Sequence, residues 1–310
     1  AEVVRSGFVE SRHTGSLVVL GATGDPQVEL GDPRRAIFPR STNKPLQAAI
    51  MVELGLDLPD DLLAVACASH VGLPTHVAAV RAILALAGRT DADLDNTPAF
   101  PLDDEASRAL IMAGSGPDRV HQNCSGNHAA MIATCVVADW STSGYLDPAH
   151  PLQVAIRAGY ESMAGTPISG HAMDGCGAPL YQVSLLGLAR SYQQLVAWGG
   201  IKGRVAAAMR AHPDLVEGPG RPATELMRAV PGLIAKNGAE GVYVVALADG
   251  RVVALKIDDG AARACVPVVV AALRSLGIAA PGLEPLSRLP VFGHGSVVGE
   301  VRAAASAWSF

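Results

Sequence analysis

Apolar and β-branched residues cluster near both ends of the chain, and turn residues separate the clusters. Within residues 2–40, the segment GSLVVLGATGDPQVEL contains two such clusters on either side of Gly-Asp-Pro. Two more occur in GVYVVALADGRVVALKI, where Asp249-Gly250 is a pair favoured in two-residue hairpin turns. We predict strands in these segments and in GSVVGEVRA near the end of the chain.

The pattern becomes helical between the two strand-rich ends. RSTNKPLQAAIMVELGL opens the first helix, since Ser41 or Thr42 can cap it and Pro45 lies in its first turn. Further helices are predicted at 61–67, 74–87, 103–113, about 127–140, 150–164, several places between 185 and 230, and 260–276. This order predicts an α+β fold, in which N- and C-terminal strands form an antiparallel sheet and the helical middle packs on it.

We interpret the chain as one domain of 310 residues, with the sheet from about 1–40 and 240–310 and the helical region from about 41–240. Hydrophobic residues make up 49% and charged residues 17%, so most of the chain should be buried in a core. The net charge of −5 excludes a strongly basic nucleic-acid surface. The apolar runs are too short to span a membrane. Five cysteines, an odd number, and the lack of an apolar N-terminal segment favour reduced thiols and a cytoplasmic location.

Ser41 and Lys44 form an S-x-x-K pair at the predicted start of the first helix. One helical turn separates them, so the lysine amine can lie near the serine hydroxyl. A desolvated lysine can act as the base that a serine nucleophile needs, and the helix N-terminus favours negative charge that develops nearby. Taken alone, the pair is also compatible with an ordinary capped surface helix.

Two further segments contain residues of similar chemistry. Lys256 lies in an otherwise apolar strand, where it either reaches solvent at the strand end or is buried and functional. With a two-residue turn, it would pair with Tyr243. In CASHVGLPTH, Ser69 could supply a second hydroxyl, whereas His70 and His76 are compatible with an ordinary polar loop.

Cys124 and Cys176 lie beside glycines in the polar segments NCSGNH and DGCGAP, unlike Cys135 and Cys265, which lie inside apolar runs. Two thiolates with a nitrogen ligand or water would suit zinc, although the spacing matches no recognised zinc motif. In chain order after S-x-x-K, the segments SGN (125–127) and KNG (236–238) resemble the S-D-N and K-T-G motifs of β-lactamases.

Five motifs together resemble the thermolabile, rhizobial-type L-asparaginase family. They run in the family's order from residue 38 to 242: FPRSTNKPLQA, ACASHVG, HQNCSGNHAAM, DGCGAP and AKNGAEGV. The resemblance implies a serine β-lactamase/glutaminase-like fold, a homodimer, and hydrolysis of L-asparagine to L-aspartate and ammonia (EC 3.5.1.1).

The resemblance also implies functional residues. It assigns two catalytic Ser-Lys pairs, Ser41 with Lys44 and Ser69 with Lys256, and leaves Lys236 as the alternative partner of Ser69. It assigns zinc to Cys124 and Cys176. Substrate-binding positions around these groups are Arg40, His70, Asn127 and Asp174.

One departure from the family pattern leaves alternatives open. The family's metal-binding lysine falls on Asn127, and a neutral amide oxygen is a poor zinc ligand. Zinc is therefore a possible cofactor, with His128 or water as candidates for completing the site. The alternatives to a Ser-Lys asparaginase are a zinc-dependent hydrolase, a hydrolase of glutamine or other amides, and a diverged pocket protein with weak or no turnover.

Overall fold

The computed structural model describes residues 1–197 and 199–305. Its helices agree well with the apolar periodicity, and most predicted bounds are within about two residues of those observed. The exceptions are α5, which begins and ends earlier than predicted, and α11, which begins later, after a 3-10 turn at Ala262–Ala264. The helices are α1 (Lys44–Glu53), α2 (Asp60–Ala66), α3 (Pro74–Leu86), α4 (Asp104–Met112), α5 (Ser125–Val137), α6 (Pro151–Ala164), α7 (Leu185–Ala197), α8 (Gly200–Ala211), α9 (Pro213–Val216), α10 (Pro222–Ala229), α11 (Cys265–Ser275) and α12 (Glu284–Ser287).

The terminal strands confirm the α+β prediction, but they are divided between two main sheets. The strands are β1 (Glu2–Arg5), β2 (Phe8–Arg12), β3 (Gly15–Leu20), β4 (Pro26–Leu30), β5 (Ala36–Ile37), β6 (His171–Met173), β7 (Pro179–Tyr181), β8 (Val183–Ser184), β9 (Ile234–Gly238), β10 (Val242–Ala246), β11 (Val252–Ile257), β12 (Arg288–Gly293) and β13 (Ser296–Arg302). One antiparallel sheet has the order β4-β3-β11-β10-β9, and the other has the order β12-β13-β1-β2. Both sheets therefore join strands from the two ends of the chain.

The hairpin of β10 and β11 differs from its predicted register by one residue. The Leu247 N–H donates to the Arg251 carbonyl at 2.8 Å, so the turn contains three residues rather than two. Gly250 adopts a φ of 92°, the left-handed conformation that such a three-residue turn requires. Lys256 consequently pairs with Val242, and not with Tyr243 as predicted.

The helices that carry the candidate site form the interior of the molecule. Helices α1 and α5 are buried along almost their whole length, because their small and apolar residues surround the helix on every side. Gly126 permits the close packing of α5 against α2, since a Cβ there would lie 2.5 Å from the Val65 carbonyl oxygen. Helices α7 and α11 both pack against the fully buried strand β10.

Candidate active site

Ser69 lies at the centre of a buried serine–lysine cluster, which we define as Lys44, Ser69 and Lys236. The Ser69 hydroxyl oxygen is 2.8 Å from the Lys236 amine and 3.2 Å from the Lys44 amine. The side chains come from α1, from the segment after α2, and from β9. All three residues are buried, and Lys236 is completely so. Two amines therefore share one hydroxyl in a region of low dielectric.

The turn before α1 fixes one side of this cluster. Residues Arg40–Asn43 form a 3-10 turn, held by a hydrogen bond of 2.7 Å from the Tyr192 hydroxyl to the Thr42 carbonyl. Lys44 follows this turn and donates to the Ala68 carbonyl at 2.7 Å as well as to Ser69. Ser41 is more exposed than Ser69, and its hydroxyl makes no hydrogen bond with the residues that the structure describes.

Lys236 takes the place that the sequence analysis gave to Lys256. Lys236 begins the KNG segment, and its amine also donates to the Asn237 side-chain oxygen at 2.9 Å. The glycine of this segment allows β9 to approach the turn before α1, because a Cβ on Gly238 would lie 2.9 Å from the Pro39 carbonyl oxygen. The K-x-G resemblance is the sequence signal for Lys236, which the sequence analysis kept as the alternative to Lys256.

Lys256 does not reach Ser69. Its amine donates to the backbone carbonyls of Glu240 and Ile257, and its side chain is half-buried at the edge of a surface depression of about 480 Å³. The predicted Ser69/Lys256 pair is therefore wrong in its lysine. The physical reason is that β9, and not β11, is the strand that packs against the turn before α1.

Burial changes the protonation of Lys236. Desolvation, and next the positive charge of Lys44, lower the pKa of Lys236 to about 7. The negative charge of Glu217 partly opposes this shift. A lysine with such a pKa is present as a neutral amine in a large fraction of molecules near neutral pH, so it can accept a proton.

His70 lies behind Ser69 and is completely buried. Its Nε2 is 2.9 Å from the Ser125 hydroxyl, which itself donates to the Val120 carbonyl at 2.7 Å. Ser125 has only one proton, so Nε2 of His70 is the donor in their contact. Burial, and next the neighbouring His76, lower the pKa of His70 well below its usual value. His70 is thus a neutral, enclosed ring that stacks on His76.

Arg40 and Asp174 form a pair at the more accessible edge of the site. The Arg40 guanidinium donates to one Asp174 carboxylate oxygen at 2.9 and 2.7 Å. Arg40 has a φ of 53°, a left-handed conformation that is uncommon for a residue other than glycine. Arg40 also lines the depression of about 480 Å³, together with Glu240 and Lys256. This edge therefore presents charges of both signs next to Ser41.

Cys124 and Cys176, which we call the thiol pair, lie side by side next to Lys44. They form a small cluster with Ala178, and the Cys124 thiol donates to the Asn123 side-chain oxygen at 3.3 Å. Cys176, and next Lys44, hold the pKa of the Cys124 thiol well below its usual value. The structure thus brings together the two cysteines that the sequence analysis singled out. All five cysteines of the chain are free and buried.

The residues around the thiol pair do not complete a zinc site. The Asn127 side-chain amide donates to the Ala66 carbonyl at 3.0 Å. His128 uses Nδ1 to contact the Tyr145 hydroxyl at 2.8 Å, and its Nε2 is buried without a partner. Across residues 1–197 and 199–305, no group of three or more His, Cys, Asp or Glu side chains could hold a metal ion. Protein zinc sites have at least three protein ligands, so this donor set does not fit zinc.

Comparison with known sequence families identifies the class of protein to which this chain belongs. The sequence profile described as L-asparaginase II matches residues 1–303, and the chain belongs to that family. It is therefore an amidohydrolase of the asparagine type. Comparison with curated proteins gives no match.

Solved structures similar to this chain include two bacterial proteins. One is a β-lactamase from Mycobacterium bovis, with 14% identity over 80% of this chain and 88% of that chain and a TM-score of 0.44. The other is a putative β-lactamase from Bacteroides dorei DSM 17855, with 16% identity over 78% and 85% of the two chains and a TM-score of 0.44. Among the described residues, no helix is long and apolar enough to cross a membrane.

Proposed function

We propose that this protein hydrolyses the side-chain amide of L-asparagine to L-aspartate and ammonia by serine–lysine catalysis. The observation that carries the proposal is the 2.8 Å contact between the Ser69 hydroxyl and the buried Lys236 amine, with Lys44 on the other side of the same hydroxyl. This arrangement provides a base that is partly neutral at physiological pH and a hydroxyl that can transmit a proton.

The N–H groups and lone pair of Lys44 link the serine–lysine cluster to Ser41. A neutral lysine amine has two N–H groups and one lone pair. In the reactive form that we propose, Lys44 is a neutral amine whose two N–H groups donate to the Ala68 carbonyl and the Ser69 hydroxyl and whose lone pair accepts from the Ser41 hydroxyl, one turn away. When Lys44 is protonated, its third N–H is available to Cys124. Catalytic hydrogen bonds are often long before substrate binds and shorten in the complex, which accounts for the unbonded Ser41 hydroxyl.

The first half of the reaction forms an acyl-enzyme. The Ser41 oxygen attacks the amide carbon, and its proton passes to Lys44. Lys44 transfers a proton to Ser69, and the proton of Ser69 passes to Lys236. The positive end of α1 stabilises the negative oxygen of the tetrahedral intermediate. The chain of protons then runs in reverse, the amide nitrogen is protonated, and ammonia leaves as the C–N bond breaks.

The second half returns the free enzyme. A water molecule attacks the ester carbon, its proton enters the same chain, and the Ser41 oxygen is protonated as the ester bond breaks. Every proton that the cluster takes up in one half-reaction is returned in that half-reaction. The proposed cycle consumes one amide and one water and releases one aspartate and one ammonia.

Charges at the accessible edge of the site suit a free amino acid. The α-carboxylate of asparagine would pair with Arg40, and its α-ammonium group with Asp174. Such recognition predicts that N-acetyl-asparagine amide, which lacks both charges, is a poor substrate. Rates with glutamine measure how far the pocket tolerates one additional methylene group.

The test is ammonia release from asparagine by the Ser41→Ala variant. We expect loss of about 10³-fold or more in kcat, because the nucleophile is removed. The matched control is Ser191→Ala, which removes a buried hydroxyl that donates to the Gly187 carbonyl at 2.9 Å within α7. Retention of most of the rate by Ser41→Ala would contradict the assignment of Ser41 as nucleophile. The homodimer implied by the resemblance stays a prediction, which sedimentation can test.

A further inference from the structure

Glu217 is a buried acidic residue that the steps above do not use. It follows α9, and only 5% of its surface is exposed. One of its carboxylate oxygens accepts the Ala223 N–H at 2.8 Å, and the other accepts the Asn237 side-chain amide at 3.1 Å. A buried carboxylate is costly unless donors or a cation compensate it. For Glu217, one of these donors is Asn237, which also contacts Lys236 of the serine–lysine cluster.

Asn237 connects Glu217 to Lys236. Its side-chain oxygen accepts from the Lys236 amine at 2.9 Å, and its side-chain nitrogen donates to Glu217. A protonated lysine can only donate, and a carboxylate can only accept. The orientation of the Asn237 amide is therefore fixed by its two neighbours, and the amide holds the Lys236 amine in one position.

The Glu217 loop also fixes the backbone on the other side of the 2.8 Å contact. The Ser69 N–H donates to the Val216 carbonyl at 3.0 Å, and the Val71 N–H donates to the Glu217 carbonyl at 2.9 Å. Through its backbone the loop positions Ser69, and through the Glu217 side chain and Asn237 it positions Lys236. One short segment thus sets both members of the proposed proton-transfer pair.

We propose that Glu217 is a positioning residue that acts through Asn237, holds Lys236 against Ser69, and supplies the counter-charge when the Lys236 amine becomes protonated. This inference rests on the proposed function of the serine–lysine cluster. The arrangement has the logic of hydrolase triads, in which a buried carboxylate orients the base and stabilises its protonated form. The other groups that act electrostatically on Lys236 are Lys44, Cys124 and Cys67.

The first test is Glu217→Gln, which preserves shape but removes the charge. A glutamine oxygen can still accept the Ala223 N–H, whereas its NH₂ group faces the NH₂ group of Asn237, so the link to Lys236 is broken. We expect kcat to fall about 10-fold to 100-fold while KM changes less than about twofold, because proton transfer and not binding is affected.

The pH profile separates positioning from general damage. Loss of a nearby negative charge favours the neutral amine, so the acidic limb of kcat should move to lower pH by about one unit. The matched control is Glu161→Gln in α6, whose carboxylate also accepts a backbone N–H, that of Ile168 at 3.0 Å. We expect the control variant to keep the wild-type kcat and the wild-type position of the acidic limb in the pH profile of kcat. If the acidic limb of the kcat profile does not shift in Glu217→Gln, the proposal is overturned, even if kcat itself is reduced.

A measurement without turnover distinguishes this inference from the proposed function. Carbon-13 NMR of the protein labelled at lysine Cε over a range of pH, with the Lys236 signal assigned by its loss in Lys236→Met, gives the titration of that buried amine directly. We expect the midpoint to fall in Glu217→Gln and in Asn237→Ala, a second variant that leaves Glu217 and its bond to Ala223 in place. Unchanged midpoints in both variants overturn the inference. A wild-type protein that releases no ammonia but shows these shifts contradicts the proposed function alone.

Discussion

The serine–lysine cluster and the thiol pair are neighbours that share Lys44, yet they differ in how completely their partners are present. In the cluster, each amine has acceptors within 3.2 Å, and the central hydroxyl contacts both amines. In the thiol pair, Cys124 and Cys176 lie in one small cluster and Lys44 acts electrostatically on both, but the position expected to supply a third ligand is Asn127, whose amide is bonded to the Ala66 carbonyl.

Two sites inferred from the same resemblance can therefore differ in how many of the required partners the structure supplies. A proton-transfer chain requires continuous donors and acceptors, and the described residues provide them from Lys44 through Ser69 to Lys236. A zinc site requires at least three ligands in a suitable geometry, and the described residues provide two thiols with no third His, Cys, Asp or Glu side chain beside them. The described contacts therefore supply more of the proposed serine–lysine chain than of the expected zinc site.

Substitution of the two candidate lysines is expected to give the largest effect. Lys236→Met should lower kcat for asparagine hydrolysis by about 10³-fold, because the proposed final proton acceptor is removed. Lys256→Met is the matched control, since it removes the same amine from a strand of the same sheet and from contacts with backbone carbonyls only. We expect it to retain activity within about threefold.

Initial rates of ammonia release, with circular dichroism to verify folding, measure both variants. The opposite ranking, with Lys256→Met inactive and Lys236→Met active, would restore the pairing that the sequence alone favoured. Equal losses in both variants would show that the contact with Ser69 does not distinguish the two lysines.

The two lysines also show how far sequence could predict this molecule. The apolar patterns specify helices and strands because burial of one face or of all faces depends on local spacing. The direction of Lys256 depended on whether the turn at Asp249-Gly250 has two or three residues, and a difference of one residue reverses the face of a strand. No local pattern contains that information with certainty.

Which strand faces Ser69 is a tertiary property. Lys236 reaches Ser69 because Gly238 allows β9 to lie against the turn before α1, a contact between segments almost 200 residues apart. The short KNG segment indicated this lysine through its resemblance to the K-T-G motif of β-lactamases and as part of AKNGAEGV, one of the five asparaginase-like motifs. The thiol pair was predictable as a pair, since polar, Gly-rich surroundings distinguished Cys124 and Cys176 from the other cysteines, but the partner of Asn127 was not.

The pH dependence of kcat tests whether Lys236 is the proton acceptor in the serine–lysine cluster. Because the pKa of Lys236 lies at about 7, the fraction of neutral amine rises as the pH increases through that value. We expect kcat to rise with pH and reach a plateau above the midpoint, and to be about 100-fold lower two units below it. Lys256→Met should keep the same midpoint. A limb near pH 4, as expected for a carboxylate base, would contradict proton uptake by Lys236.

The smallest effect is expected at the thiol pair. Exhaustive dialysis against a strong chelator should change the wild-type rate by less than about twofold, because two thiols alone hold zinc weakly. Asn127→Lys should bind zinc at least about tenfold more tightly than the wild type, since it places a nitrogen donor where the resemblance expects the third ligand. Titration with zinc and a competing chromophoric chelator measures both proteins, and Cys176→Ser in the Asn127→Lys background is the control that should lose the gain. Stoichiometric, tightly held zinc in the wild type would show that the pair recruits a ligand outside the residues assigned here, and the contrast between the two neighbouring sites would then disappear.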